Sequence, residues 1–199
     1  MKEYTIVRKT DWDLVPELEI NEMQVPFEGD IRAYAKICYD EENLYVRLRA
    51  HEKKVRAVNT DPMGQPCEDS CLEFFFAPDS RSDLYFNIEY NPNRLRFLGI
   101  GREIHTLVRL FPLHDRLYDF EPEVNYLPDG WQITYHIPCA FIRIFFPDFR
   151  PVPGGSIRAN CFTTGDLCDP PHDLAWNPID LSVENAFHNP KAFGKMIFA

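Results

Sequence analysis

The chain has 199 residues, which is enough for one domain with a well-buried core. Its formal net charge of −10 at pH 7 argues against a nucleic acid or an anionic membrane surface as a partner, because both attract proteins with an excess of lysine and arginine. No stretch approaches the ~20 apolar residues that a membrane-spanning helix needs. Aromatic residues make up 14% of the chain, and this content favours β-strands over helices.

The cysteine spacing predicts neither a zinc motif nor a disulfide framework. No Cys-x-x-Cys pair occurs among the six cysteines, which are Cys38, Cys67, Cys71, Cys139, Cys161 and Cys168. No secretory signal pattern is visible at the start of the chain, so we predict a cytoplasmic protein with reduced thiols. Disulfide bonds are the alternative if a secretory signal peptide was removed from the sequence. Cys71 is predicted to pack without reacting, because its acidic neighbours Asp69 and Glu73 oppose thiolate formation.

The first part of the chain predicts short strands separated by turns. Residues 4–8 predict an opening strand, and residues 11–30 predict an irregular edge. Residues 31–39 and 44–50 alternate between apolar and polar side chains, and the polar residues 40–43 between them predict a hairpin.

Two segments with strict period-two alternation form the centre of the predicted fold. In residues 68–78 and 84–91, one set of side chains is apolar and the other mixes acids, an amide and aromatics. The residues between these segments are rich in turn formers, so the segments are predicted to be antiparallel neighbours. The mixed face then carries three hydrogen-bonding side chains, Glu73, Asn87 and Glu89.

The remaining segments extend the same pattern. In chain order, they predict a strand at 94–101, a hairpin of 124–126 with 131–138, a helical turn at 139–146, a strand at 156–164, an irregular stretch at 165–192 and a closing strand at 193–198. Many short strands without helical periodicity predict an all-β, single-domain, two-sheet antiparallel β-sandwich of immunoglobulin-like or jelly-roll-like architecture over residues 1–199.

An ordered series of short motifs resembles the family-nine-like carbohydrate-binding modules, a branch of the DOMON-like β-sandwiches, over about residues 31–199. The motifs are Asp69-Ser70-Cys71-Leu72-Glu73-Phe74-Phe75, Tyr85-Phe86-Asn87-Ile88-Glu89-Tyr90-Asn91, Gly99-Ile100-Gly101-Arg102, Gly130-Trp131, Ile137-Pro138, Arg158-Ala159-Asn160-Cys161-Phe162, Gly165-Asp166, Ala175-Trp176-Asn177-Pro178-Ile179 and Phe187-His188-Asn189-Pro190-Lys191-Ala192-Phe193-Gly194.

The resemblance implies a sandwich that binds sugar without catalysis, as in modules of xylan-degrading enzymes. In that family a sugar ring is clamped between two tryptophans, polar side chains hold its hydroxyls, and calcium has a structural role. Trp176 matches one tryptophan and Glu73 matches the sugar-binding carboxylate. The second tryptophan would stand just before Asp69, where residues 65–68 contain none. No other cofactor is predicted, and the oligomeric state is left open.

The residues also favour a saccharide on their own chemistry. A pyranose offers apolar faces and many hydroxyls, so its site needs an aromatic surface beside a few placed polar groups. The predicted site comprises Trp176, Glu73, Asn87, Glu89, Arg102 and Asp166. Trp176 is compatible with two positions. It could form an exposed platform for the sugar, or it could fill the end of the core, since tryptophan is mostly buried on average. Arg102 is equally compatible with a plain surface position.

Three other functions are open. The chain could be a protein-interaction sandwich without a small ligand. It could be a glycoside hydrolase that uses Glu73 and Glu89 as paired carboxylates. Such a pair needs a separation of ~5 Å in a retaining enzyme and of ~6.5–9.5 Å in an inverting one. It could also be a haem module, but no methionine has an evident histidine partner for the axial positions.

Overall fold

The computed structural model of the chain describes residues 1–24, 26–111 and 116–199. Within them the chain is mostly β-strand, with one short α-helix, α1 (Cys139–Phe145). The strands are β1 (Glu3–Arg8), β2 (Leu18–Ile20), β3 (Glu22–Met23), β4 (Arg32–Tyr39), β5 (Asn43–His51), β6 (Cys71–Ala77), β7 (Tyr85–Tyr90), β8 (Arg96–Gly101), β9 (Val108–Arg109), β10 (Glu123–Leu127), β11 (Gly130–Pro138), β12 (Ser156–Gly165), β13 (His172–Ala175) and β14 (Gly194–Phe198). Short 3₁₀ helices lie at Trp12–Leu14, Pro66–Glu68, Ile104–Thr106, Arg116–Tyr118, Ala186–His188 and Pro190–Ala192. In these described ranges no helix has the length and hydrophobicity needed to cross a membrane.

The strands join into one large mixed sheet that curls on itself. Its main path runs β10-β11-β5-β4-β1-β14-β12-β6-β7-β8-β9, with β2 on β4, β13 on β12 and β3 on β13. The predicted wholly antiparallel sandwich is wrong in one respect, because β1 pairs in parallel with both β14 and β4 and so connects the two halves of the sheet. Parallel neighbours need a long connection between them, and the chain supplies one in both cases.

The two halves of the sheet pack their inner faces against one shared core. Phe74 and Ile88 come from the half that contains β6 and β7, whereas Val46 and Ile133 come from the half that contains β5 and β11. The alternation predicted for the central segments is confirmed, since β6 and β7 are antiparallel neighbours with their apolar set inside. The hairpins β4–β5 and β10–β11 and the helix α1 are confirmed as well.

The turn between β10 and β11 depends on a glycine. Gly130 has φ +156°, and a Cβ at this position would run into the carbonyl oxygen of Ala50 on β5. We expect Gly130→Ala to lower the free energy of unfolding by about 2 kcal/mol or more in urea denaturation. Gly154→Ala is the matched control, because Gly154 has φ +82° but open space around it. Equal losses in the two variants would contradict the close approach of the backbones.

Candidate functional site

The outer face of the second half of the sheet carries the polar residues singled out in the sequence. We call this surface the polar face; it consists of Cys71, Glu73, Phe75, Tyr85, Asn87, Glu89, Phe97, Phe162 and Thr164. Register places these side chains together, because directly paired residues of neighbouring strands point to the same side. Glu73 on β6 lies opposite Glu89 on β7 and opposite Phe162 on β12. Glu89 in turn lies opposite Phe97 on β8. The sheet therefore presents two adjacent carboxylates between two phenylalanines.

The polar groups of this face are buried, and part of their hydrogen-bonding capacity is unused. The side chains of Glu73, Asn87 and Glu89 are 3%, 1% and 7% exposed. The Thr164 hydroxyl donates to Glu73 Oε1 at 2.6 Å. Both amide atoms of Asn87 and Oε2 of Glu89 are buried without a partner in hydrogen-bond geometry, although the Asn87 amide lies near enough to Glu89 to favour its ionised form. Because buried polar atoms in native proteins are normally satisfied, these three atoms point to a ligand.

The environment disfavours full ionisation of this carboxylate pair. Burial and then the charge of Glu89 raise the pKa of Glu73 well above its usual value. Burial raises the pKa of Glu89 to about 7, although the Asn87 amide and the Arg109 guanidinium act in the opposite direction. Near neutral pH the pair therefore retains a proton, and one of the two carboxyl groups can donate a hydrogen bond while the other accepts.

Arg109 stabilises the loop beside the polar face but does not neutralise the two acids. Its guanidinium donates to the carbonyl oxygens of Pro62, Met63, Gly64 and Arg96 at 2.9–3.1 Å. It also stacks over the Phe97 and Phe111 rings, at 4.6 and 4.9 Å from the ring centroids.

The prediction that Trp176 forms an exposed aromatic platform is wrong. The indole is 4% exposed and lies in the core, edge-on to Tyr4 with ring centroids 6.4 Å apart. Trp176 follows β13 on the same side as buried Leu174, so strand alternation directs it inward. Reciprocal hydrogen bonds between Asn160 and the backbone of Asn177 fix the chain immediately after it. The alternative of a core plug is the correct one.

The two remaining predicted site residues lie in different places. Asp166 is exposed at the end of β12, its backbone N–H donates to Cys67 O at 2.8 Å, and its charge helps to raise the pKa of Glu89. It therefore lies at the rim of the polar face. Arg102 is exposed beyond the far end of β8 and lines a cavity of about 400 Å³ together with His188. Glu89 lies opposite Phe97, and strand geometry puts Arg102, five residues further on, about 17 Å along the sheet from it, so Arg102 is not part of the same cluster.

Aromatic residues that the sequence analysis assigned no role cover part of the polar face. Phe187 is half-buried and packs on Phe162 with ring centroids 5.1 Å apart. Phe162 is the direct neighbour of Glu73, which brings both rings to the acids. Phe187 belongs to the Phe-His-x-Pro motif, so its signal was present in the sequence. The pairing of β6 with the distant strand β12 could not be derived, and so Phe162 was missed.

His188 is half-buried against the Phe75 and Tyr85 rings as a neutral imidazole, and it predicts a change of stability with pH. Burial lowers its pKa to about 4 from 6.5, and the Tyr85 hydroxyl lies 2.7 Å from Nδ1. The unfolded chain takes up the proton near pH 6.5 and the folded protein only near pH 4, so His188 lowers the free energy of unfolding by about 3 kcal/mol as the pH falls through this window. His188→Phe removes this loss. The difference in stability between wild type and variant, measured in urea at several pH values, should shift by that amount, and a constant difference would contradict the buried neutral histidine.

The family resemblance implied structural calcium, and the cluster of potential metal ligands that the described residues form does not suit that ion. Cys71, Glu73 and Glu89 make up this cluster. Calcium takes six to eight oxygen ligands, and a thiol is unsuited to it.

Comparisons with known proteins agree with this architecture. The model of carbohydrate-binding family 9 matches residues 8–198. The chain is similar to a solved protein from Bacteroides uniformis that is described as a candidate carbohydrate-binding protein, with TM-score 0.79, 20% identity, and coverage of 100% of this chain and 99% of that one. It is also similar to a family 9 carbohydrate-binding module from Caldicellulosiruptor kristjanssonii. The complex of that module with cellotriose has TM-score 0.71 and 15% identity over 99% of this chain and 93% of that one. The complex with glucose has the same TM-score and identity over 100% and 96%. No curated protein sequence matches the chain.

The curled mixed sheet with one short helix is the fold of those carbohydrate-binding modules. The chain belongs to carbohydrate-binding family 9, whose model covers nearly its whole length.

Proposed function

We propose that the protein binds a saccharide, without altering it, at the polar face around Glu73, Asn87 and Glu89. The observation that carries this proposal is the set of three buried polar atoms without partners, namely Asn87 Oδ1 and Nδ2 and Glu89 Oε2. They offer two acceptors and one donor, and each sugar hydroxyl can both donate and accept. Binding would satisfy groups whose burial without partners costs about 1–3 kcal/mol each.

The aromatic surface in this proposal is Phe187 rather than Trp176. Phe187 is the half-buried ring over the polar face, and it is supported from below by Phe162. A phenylalanine ring packs against the apolar face of a sugar by dispersion, with less area than a tryptophan offers. We therefore expect weaker binding than a clamp of two tryptophans would give.

The rim between Cys67 and Asp166 is the proposed entrance. The acids themselves are nearly closed off, whereas Cys67 is half-buried and Asp166 is exposed. The half-buried side chains Leu107 and Phe187 cover the middle of the face. A sugar would enter at the rim with one end of its chain and displace this cover.

The ligand class that we propose is a glucose-type mono- or oligosaccharide. Two similar structures contain glucose and cellotriose, and this supports a ligand with the same stereochemistry here. A ligand from xylan and a place in glycan breakdown are further parts of the proposal. We do not propose hydrolysis, because Glu73 and Glu89 stand side by side on one sheet face and cannot flank a glycosidic bond from two sides.

A ligand-free protein-interaction module is the second candidate. The observation that favours it is the burial of Trp176, which leaves the predicted aromatic platform absent. The two candidates differ in whether any sugar binds.

Isothermal titration calorimetry with glucose, cellotriose and xylotriose tests the proposal. We expect a binding heat with at least one of these sugars and its loss in Phe187→Ala. Tyr126→Ala, which removes an exposed ring on the edge strand β10, is the matched control and should bind as wild type does. A reducing-sugar assay on the same samples should show no product. No heat with any sugar would favour the protein-interaction module, and equal binding by Phe187→Ala would remove the aromatic surface from the site.

A further inference from the structure

We propose that Cys71, Glu73 and Glu89 form a binding site for a thiophilic divalent cation, with zinc as the physiological choice. One ligand atom from each residue lies within 4.8 Å of the other two. All three side chains are at least nine-tenths buried. This inference does not depend on saccharide binding.

The sheet itself builds the cluster. Cys71 and Glu73 are two residues apart on β6 and therefore point to the same side. Glu89 stands directly opposite Glu73 on β7. The linear sequence contains no zinc motif because the third ligand comes from another strand, which the chain reaches only after the β6–β7 turn.

The donor set suits zinc in type and in distance. Zinc binds cysteine sulfur at ~2.3 Å and carboxylate oxygen at ~2.0–2.2 Å, which places neighbouring ligands of a tetrahedral site about 3.5 Å apart. The ligand atoms lie within 4.8 Å of one another, so each pair must close by at most about 1.3 Å to reach that geometry. A soft thiolate beside two carboxylates selects zinc or cobalt over calcium and magnesium.

The burial of two facing carboxyl groups, which cannot both ionise without a counter-charge, is a second reason to expect a cation. Two carboxylates face each other in a buried position, and Glu89 Oε2 has no hydrogen-bond partner. Asn87, the same-face neighbour of Glu89, leaves both amide atoms unpaired as well. Arg109 acts on Glu89 through space, since its Nη1 and Nη2 atoms donate to four backbone carbonyls and its buried Nε–H has no hydrogen-bond partner. Buried charges without a paired counter-charge are costly, and a bound cation would supply one.

The described cluster supplies three ligands, so a water molecule or a bound ligand would complete a tetrahedral site. Cys67 is half-buried at the rim of the polar face and is not one of the three clustered ligands. Metal binding would displace the proton of the Cys71 thiol and the proton held by the glutamate pair into solvent.

Cobalt titration of the chelator-treated full chain tests this site. We expect one equivalent of Co²⁺ to give a sulfur-to-cobalt charge-transfer absorption in the near ultraviolet, and Zn²⁺ to abolish it by competition. Cys71→Ser should lose the band, and Glu89→Gln should bind cobalt at least 10-fold more weakly. Cys38→Ser is the matched control, because Cys38 is an equally buried thiol on the other half of the sheet.

Several results would overturn the site. One is the absence of a charge-transfer band in the wild type, which needs no variant. Another is a band of unchanged strength in Cys71→Ser or unchanged affinity in Glu89→Gln, with folding checked by circular dichroism. Saccharide calorimetry in the presence of a chelator separates the two proposals. If the metal-free protein binds sugar while the cobalt titration gives no band, the metal site alone is wrong.

Discussion

Trp176→Ala is expected to lower the free energy of unfolding by about 3–5 kcal/mol. The indole fills the core between Tyr4 and Gly194, and alanine would leave a large cavity that the surrounding strands cannot close. The Asn160–Asn177 hydrogen bonds hold the neighbouring backbone in place, so little relaxation is available. Denaturation in guanidinium chloride, followed by far-ultraviolet circular dichroism, measures this loss.

Trp12→Ala is the control for that experiment. Trp12 is half-buried against the outer side of β4 and β5, where Lys36 donates to its carbonyl oxygen and the Arg47 guanidinium lies 4.3 Å from its ring centroid. We expect this variant to lose about 1 kcal/mol. If the two tryptophan variants lost the same amount, the burial of Trp176 would be wrong and its role as an exposed platform would have to be reconsidered.

Glu73→Gln is expected to weaken saccharide binding about 100-fold while it leaves the fold at least as stable as the wild type. A hydrogen bond between the charged acid pair and a ligand contributes about 1.5–3 kcal/mol, and glutamine retains the shape of Glu73 but cannot share a proton with Glu89 or carry the charge of the pair. The same substitution removes one of two facing buried carboxylates and so relieves their repulsion. Calorimetric affinity and urea denaturation of the same protein measure the two effects.

The opposite signs of these two effects separate a lost contact from a damaged fold. Glu123→Gln serves as the control, because Glu123 is an exposed acid on the edge strand β10, away from the polar face. It should change neither quantity measurably. Unchanged affinity in Glu73→Gln would show that this carboxylate does not contact the sugar.

Sequence reasoning predicts well the elements that are specified by residues close to one another in the chain. The alternation in residues 71–77 and 85–90 specifies one core face and one polar face, and a turn-rich connection makes the two strands neighbours. For this reason the shared position of Glu73, Asn87 and Glu89 could be predicted. The hairpins β4–β5 and β10–β11 follow from the same kind of signal.

Features that depend on contacts between distant parts of the chain could not be predicted. The parallel position of β1 requires the first and last strands to meet, and nothing in residues 3–8 indicates this. Phe162 reaches Glu73 only through the pairing of β12 with β6. The strand β13 was missed because its His172-Asp173 start lacks strand-forming residues, and its backbone is held by β12 and β3.

The error on Trp176 has a similar origin. Its neighbours Asn177 and Pro178 are typical of a loop, and this suggested an exposed ring. The alternation of the last residues of β13 decides which face of the sheet the indole points to, and it directs both Leu174 and Trp176 into the core. The assignment of residues 1–199 to a single domain and the cytoplasmic location stay predictions.

The most direct measurement of the central claim is an NMR titration of isotope-labelled protein with the sugar that binds in calorimetry. The account predicts that the largest amide and side-chain shifts occur at Glu73, Asn87 and Glu89, together with Phe187 above them. Shifts concentrated instead around Arg102 and His188, or the absence of any shift on β6 and β7, would contradict saccharide binding at the polar face.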